Sequence, residues 1–151
     1  MPARFEIDVE NGVVFSYATD PLSYTDLLRH QDRLIADHRF SPDFDHVADF
    51  RDLEPGTDIT TDDVRDLARQ KIYSSKSRRA FVAPNETLFG LARMFASLRE
   101  IAGEPNVRVV KTLEDAAAWT TVEVTKVKDA FDRLRATAHS TKHARRVQRA
   151  D

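Results

Sequence analysis

The chain has no cysteine, so disulfides, thiolate nucleophiles and cysteine-ligated metals are excluded outright. Glycine is scarce, with four in 151 residues. Neither a glycine-rich phosphate loop nor a Gly-x-Ser-x-Gly elbow occurs, which argues against nucleotide binding by the usual loops and against hydrolase chemistry of that type. No uninterrupted apolar segment approaches the roughly 20 residues that span a bilayer. The start, Met1-Pro2-Ala3-Arg4-Phe5, shows no charged leader followed by an apolar block. A cytoplasmic protein without a membrane span is the expectation.

What is present is an ordinary proportion of apolar residues, 41%, beside 32% charged ones, in a length that suits one domain with a single sizeable core. The net charge of −2 hides a split distribution. Nine acidic and two basic residues lie between Asp43 and Asp66, and five basic and no acidic residues between Arg69 and Arg79. The last sixteen residues sum to +3. Such alternation does not make the continuous basic stripe that phosphate tracking needs, so no specific nucleic-acid partner is expected. The basic run Lys142 to Arg149 also lacks aromatic stacking partners and reads as solvated.

Periodicity outlines the fold. Phe5, Ile7, Val9 and then Val13, Phe15, Tyr17 alternate around Asn11-Gly12, a hairpin signal because both turn residues tolerate positive φ. Ser23-Tyr24-Thr25-Asp26 opens a first helix with Tyr24, Leu27, Leu28, Leu34, Ile35 and His38 on one face. A short strand at His46–Phe50 leads through Pro55-Gly56 to Thr60-Thr61-Asp62-Asp63, the start of a second helix with Val64, Leu67, Ala68 and Ile72 inward. Ala80–Ala83 is almost wholly apolar and reads as a central strand, with Phe81 and Val82 on opposite faces. A third helix spans about 86–102, with Leu88, Leu91, Ala92, Phe95, Leu98 and Ala102 inward and Gly103 as its stop. A strand at Val107–Val110 and a short helix ending near Trp119 follow. A last helix is expected from about Thr120, with Glu123 at its capping-box position and Val124, Val127, Phe131, Leu134 and Ala138 on one stripe.

The fold expected is therefore α/β: a five-stranded mixed sheet, an N-terminal hairpin followed by parallel strands, with helices mainly on one face and an extra C-terminal helix. Residues 1–138 form the domain and 139–151 a basic, flexible tail. The stripe on the last helix either covers the second face of its own sheet or meets a second subunit, and a homodimer is expected from it.

The order of elements, with Phe89-Gly90-Leu91-Ala92-Arg93-Met94-Phe95 and the ending Leu113-Glu114-Asp115-Ala116-Ala117-Ala118-Trp119, resembles small stand-alone bacterial proteins of the STAS superfamily, named for sulfate transporters and anti-sigma-factor antagonists. These share a general shape with CRAL-TRIO lipid-binding domains. The resemblance covers roughly residues 5 to 120 and implies a regulatory, protein-binding role or, through the CRAL-TRIO likeness, carriage of a small hydrophobic ligand. Anti-sigma-factor antagonists carry a phosphorylated serine in an Asp-Ser pair at the start of the second helix. Here the corresponding region, Asp49 to Thr61, has no serine and a longer loop.

The functional surface is expected around Asp49, Arg51, Asp52, Thr57, Thr60 and Thr61, with Arg93 as an outlying candidate, because strand C-termini and helix N-termini converge there and open α/β sheets place ligands at such ends. Thr57, Thr60 or Thr61 is chemically able to take the place of the missing serine. Asp49, Asp52 and Asp58 offer hard oxygen ligands suited to magnesium, but their spacing matches no known metal site and solvated or helix-capping roles account for the acids. His139 and His143 have helical metal-pair spacing without the intervening glutamate of a metalloprotease. No metal, no cofactor and no catalytic residue is assigned. A non-enzymatic regulatory module is expected first, a hydrophobic-ligand or lipid carrier second, and an enzyme third.

Overall fold

The computed structural model describes residues 2–150, with side chains through residue 140. Strands β1 (Ala3–Asp8), β2 (Val13–Ala18), β3 (Asp45–Asp49), β4 (Arg79–Val82) and β5 (Val107–Val110) form one sheet in chain order. β1 and β2 are antiparallel and the remaining pairs parallel. The hairpin closes at Gly12, which sits at φ +62, a conformation that needs no Cβ.

Consecutive parallel strands that lie side by side require right-handed crossovers on one face, and α1 (Tyr24–Ala36), α2 (Thr61–Ala68) and α3 (Glu86–Ile101) are those crossovers. α1 and α2 begin with reciprocal capping boxes, Ser23 with Asp26 and Thr60 with Asp63. In α3 the Asn85 side chain accepts from the Thr87 and Leu88 N–H groups.

The second face is covered by α4 (Leu113–Thr120) and α5 (Val124–Ala150). Val127, Phe131, Leu134 and Ala138 pack with Phe15, Tyr17, Val47 and Val82. The apolar stripe of α5 is thus spent on its own sheet, which removes the ground on which a homodimer was expected. Phe81 packs with Ala92 on the opposite face from Val82, as strand parity requires.

Some boundaries and burials differ from the sequence reading. α4 runs through Thr120, whose hydroxyl donates to the Ala116 carbonyl at 2.8 Å. Thr121 then turns left-handed at φ 58, so the last helix starts at Val124 instead of near Thr120. The carbonyl of Glu123 accepts the N–H groups of Lys126 and Val127. In α1, His30 and Leu34 are the buried residues, while Ile35 and His38 are exposed. In α3, Arg99 is buried and Ala102 exposed. The segment read as a tail is helical backbone to Ala150, in keeping with a run from 124 to 150 that contains neither proline nor glycine. The side chains of the Lys142–Arg149 cluster, and His143 of the histidine pair, lie outside the described residues.

Candidate functional site

The loop after β3 holds most of the residues expected to form a surface site, and much of its polar chemistry is used internally. Asp49 is fully buried and takes the Arg51 guanidinium in two hydrogen bonds of 2.9 and 3.0 Å, plus the Arg51 N–H at 3.0 Å. Asp52 accepts Arg135 of α5 through two bonds of 2.8 and 3.0 Å and also the hydroxyl of buried Tyr17. These contacts hold the Asp52 carboxyl below the usual range despite its partial burial, and burial together with Asp52 raises the Tyr17 phenol. Thr60 is the N-cap of α2, accepting the Asp63 N–H at 3.1 Å while Asp63 accepts the Thr60 N–H at 2.9 Å. Thr57 Oγ1 is buried with no partner among the described residues, and Thr61 is exposed at the first helical position. Arg93 is exposed on α3, its Cζ 6.0 Å from the Phe89 ring centroid. The structure brings Asp49, Arg51, Asp52 and Thr60 to one edge of the sheet, and gives Arg93 no ion pair with them among the described residues.

A second arrangement lies between the sheet and α1–α3, in a cavity partly open to the surface. There the three helices do not close on the strands, and a cavity of about 140 Å³ remains. Its walls are mainly apolar: Leu27 and Leu34 from α1, Val64 and Leu67 from α2, Leu88 and Phe95 from α3, Ala48 and Phe81 from the sheet. Ser16, His30, Gln31, His46, Tyr73 and Arg79 also line it.

Strand parity explains how polar groups reach this interior. Ser16 shares a sheet face with Val14 and Ala18, His46 with Ala48, and Arg79 with Phe81. His46 and Arg79 are direct neighbours in the parallel register of β3 and β4. The polar groups therefore gather towards the N-terminal ends of the parallel strands, opposite the edge that the sequence reading favoured.

Ser16 Oγ is shared by two imidazoles, 3.0 Å from His30 Nε2 and 2.8 Å from His46 Nε2. Burial pushes the His30 pKa down to about 4, with a smaller contribution from the charge of Arg33. Burial likewise pushes His46 well down, helped by Arg79 and His30. Both rings are neutral at pH 7. A hydroxyl has one proton to give, so at least one Nε2 must be the donor, and that ring then presents a bare Nδ1 acceptor. Both Nδ1 atoms are buried without a partner among the described residues.

This serine and histidine set does not make a catalytic triad. A nucleophilic serine needs a base oriented by a third group, and no carboxylate reaches either Nδ1 among the described residues. A ring held near pKa 4 is also a weak base at neutral pH.

Arg79 forms the other polar wall. It is 6% exposed and lies over three rings, its Cζ 4.4 Å from the Tyr73 centroid, 5.3 Å from Phe95 and 5.4 Å from Phe81. Its nearest carboxylate is Glu104, at 3.5 Å. Glu104 is already engaged by buried Arg99 through bonds of 2.9 and 2.6 Å, and Arg99 also donates to the Ala68 carbonyl at the end of α2. Two guanidiniums thus share one carboxylate. Arg79 Nε and the Tyr73 hydroxyl are buried without partners. Burial pushes the Arg79 pKa down, yet a guanidinium starts high enough to stay charged.

Sequence reasoning missed this site because its members stand at positions 16, 30, 46, 73 and 79, with no shared motif. The available signal was parity: a charged or imidazole side chain two residues before an inward apolar one, in His46 before Ala48 and Arg79 before Phe81. No group of three or more acidic or histidine side chains able to hold a metal occurs among the described residues. No described helix is long and apolar enough to cross a membrane. Compared with protein-family models and with curated proteins, the sequence finds no match to either.

Proposed function

We propose that the protein is a non-enzymatic STAS-like module that binds a small, largely apolar ligand between its sheet and α1–α3. One observation carries this reading: a cavity of about 140 Å³ with apolar walls and a cluster of partnerless polar atoms among its lining residues. A protein interior is normally packed with few voids larger than a water molecule. A void of this size, close to the roughly 150 Å³ of an apolar cavity that takes up benzene, is large enough for a compact organic group. Ligand sites are typically apolar pockets with a few placed polar groups, and this one has that composition. A regulatory module that meets a protein partner through the loop after β3 draws less support, since Asp49, Asp52 and Thr60 are engaged within the chain.

The test is titration of the purified full chain with 1-hexanol and shorter and longer alcohols, followed by protein-observed NMR. Saturable shifts confined to residues lining the cavity are expected, and Ala92→Phe, which fills the space from α3, should abolish them. Absence of saturable binding by every alcohol in the unmodified protein would falsify the reading.

A further inference from the structure

Building on the cavity reading, we infer that the ligand is a monocarboxylic acid, its apolar body among the aliphatic walls and its carboxylate on Arg79.

The inference rests on charge and on satisfied valences. Arg79, Arg99 and Glu104 are all nearly excluded from solvent, with side-chain exposures of 7, 4 and 5%. Together they carry one net positive charge. An uncompensated charge in a protein interior is costly and is normally paired. Arg99 has its pair in Glu104 and its further acceptor in the Ala68 carbonyl. Beyond the faces of Tyr73, Phe81 and Phe95, Arg79 has as ionic partner only the 3.5 Å approach to a carboxylate already committed elsewhere, longer than a well-formed charge-assisted bond of about 2.7–2.9 Å. It is also the member of the cluster that lines the cavity.

The neighbouring groups suit a carboxylate head. Arg79 Nε and the Tyr73 hydroxyl are buried donors without an acceptor among the described residues and closed off from the cavity as the side chains stand; a carboxylate, an acceptor with two oxygens, meets them once the Arg79 and Tyr73 side chains turn towards it. A neutral alcohol supplies one weak acceptor and leaves the charge unpaired. A phosphate monoester at pH 7 brings nearly two charges to a site short of one. The charge stoichiometry selects the acid, and the 140 Å³ volume selects a small one.

The experiment compares matched probes on the full chain by isothermal titration at pH 7: hexanoate, 1-hexanol and hexyl phosphate, with butanoate and octanoate to bracket length. Replacing a neutral hydrogen bond by a charge-assisted one predicts hexanoate tighter than 1-hexanol by about ten-fold or more. In Arg79→Met the acid should lose that advantage, falling in affinity by about ten-fold more than 1-hexanol does, the remaining Arg99–Glu104 pair being neutral overall. Tyr73→Phe, which removes one donor without changing charge, should weaken hexanoate several-fold and 1-hexanol by less. If hexanoate and 1-hexanol bind equally well to the unmodified protein, the carboxylate assignment fails and the cavity reading stands. Tighter binding of hexyl phosphate than of hexanoate also overturns the assignment. If no probe saturates, the cavity reading itself fails. The comparison of acid with alcohol in the unmodified chain decides the matter even if Arg79→Met does not fold.

Discussion

Lowering the pH from 7 to 5 should destabilise this protein through its buried histidines. His30 is buried beneath α1, bonded to Ser16 Oγ and edge-on to the Phe5 ring at 5.5 Å. Burial, and secondarily the charge of Arg33, pushes its pKa from 6.5 down to about 4. The unfolded chain takes up a proton on this ring below about pH 6.5, whereas the native state resists until about pH 4. Between those values the unfolded state binds more protons, so stability falls as the pH falls. It is fully present above the unfolded value and is lost progressively towards the folded one. At pH 5 the loss from His30 alone is about 2 kcal/mol, a large fraction of an ordinary domain's stability. His46 acts in the same direction, its charged form disfavoured by burial, by Arg79 and by His30. The assay is urea unfolding at pH 7 and pH 5 for the unmodified protein and for His30→Gln, which removes the titration but keeps a hydrogen-bonding side chain. Carboxylates titrate alike in both proteins, so the difference between the two pH dependences isolates the imidazole. His30→Gln should lose about 2 kcal/mol less than the unmodified protein over this interval. Equal losses, or a native-state His30 resonance that titrates near 6.5, would refute the reasoning.

Three substitutions check other parts of the argument. Glu104→Ala leaves Arg79 and Arg99 buried without any carboxylate and should cost about 3–5 kcal/mol in chemical unfolding; a loss below about 1 kcal/mol would mean that water reaches the cluster. Asp52→Ala removes the acceptor of buried Tyr17 as well as the Arg135 pair, so it should cost about 1–3 kcal/mol, and Tyr17→Phe in the same background should recover part of that loss. Thr60→Ala removes the α2 cap and should cost about 1 kcal/mol while leaving hexanoate binding unchanged.

Which parts of this molecule could be read in advance follows from the range over which each signal acts. The Asn11-Gly12 hairpin, the Ser23 and Thr60 caps and the opposite facing of Phe81 and Val82 depend on residues within a few positions of one another, so they were legible. The exact start of α5 was not, because Thr121 adopts a left-handed conformation that threonine rarely takes and moves the helix start from about Thr120 to Val124. The polar interior was less legible still. His30 follows the apolar residues Leu27 and Leu28 on α1, but only its bond to Ser16, fourteen residues away in sequence and shared with His46, distinguishes a buried imidazole from a surface one. Arg99 carries no local signal of burial, which depends on Glu104 beyond the Gly103 turn and on the Ala68 carbonyl. At the other edge Asp49 and Asp52 stand at the end of β3 and in the loop after it, yet the partners of Asp52, Tyr17 and Arg135, come from opposite ends of the chain.

Stability alone gives no reason for the polar groups around the cavity. Each buried donor or acceptor left without a partner costs about 1–3 kcal/mol, and His30 Nδ1, His46 Nδ1, Tyr73 Oη and Arg79 Nε are all in that condition. Apolar side chains of similar shape at these positions would serve the core better. The opposite half of the sheet shows the contrast: there Phe15, Val47, Val82, Val127 and Phe131 form an apolar core without such groups, with Phe15 and Phe131 meeting edge to face at 5.6 Å. The fold thus rests on one well-packed face, and the other carries the void and the unpaired polar atoms. A ligand that fills the space and meets those atoms binds only the folded chain, so it should stabilise the protein by about 2.7 kcal/mol at a hundred times its Kd. That gain offsets the cost of one or two of the orphaned groups. The face that weakens the empty protein is therefore the face through which a bound acid would raise its melting temperature, and α1–α3 are the elements whose hydrogen exchange should slow when it binds.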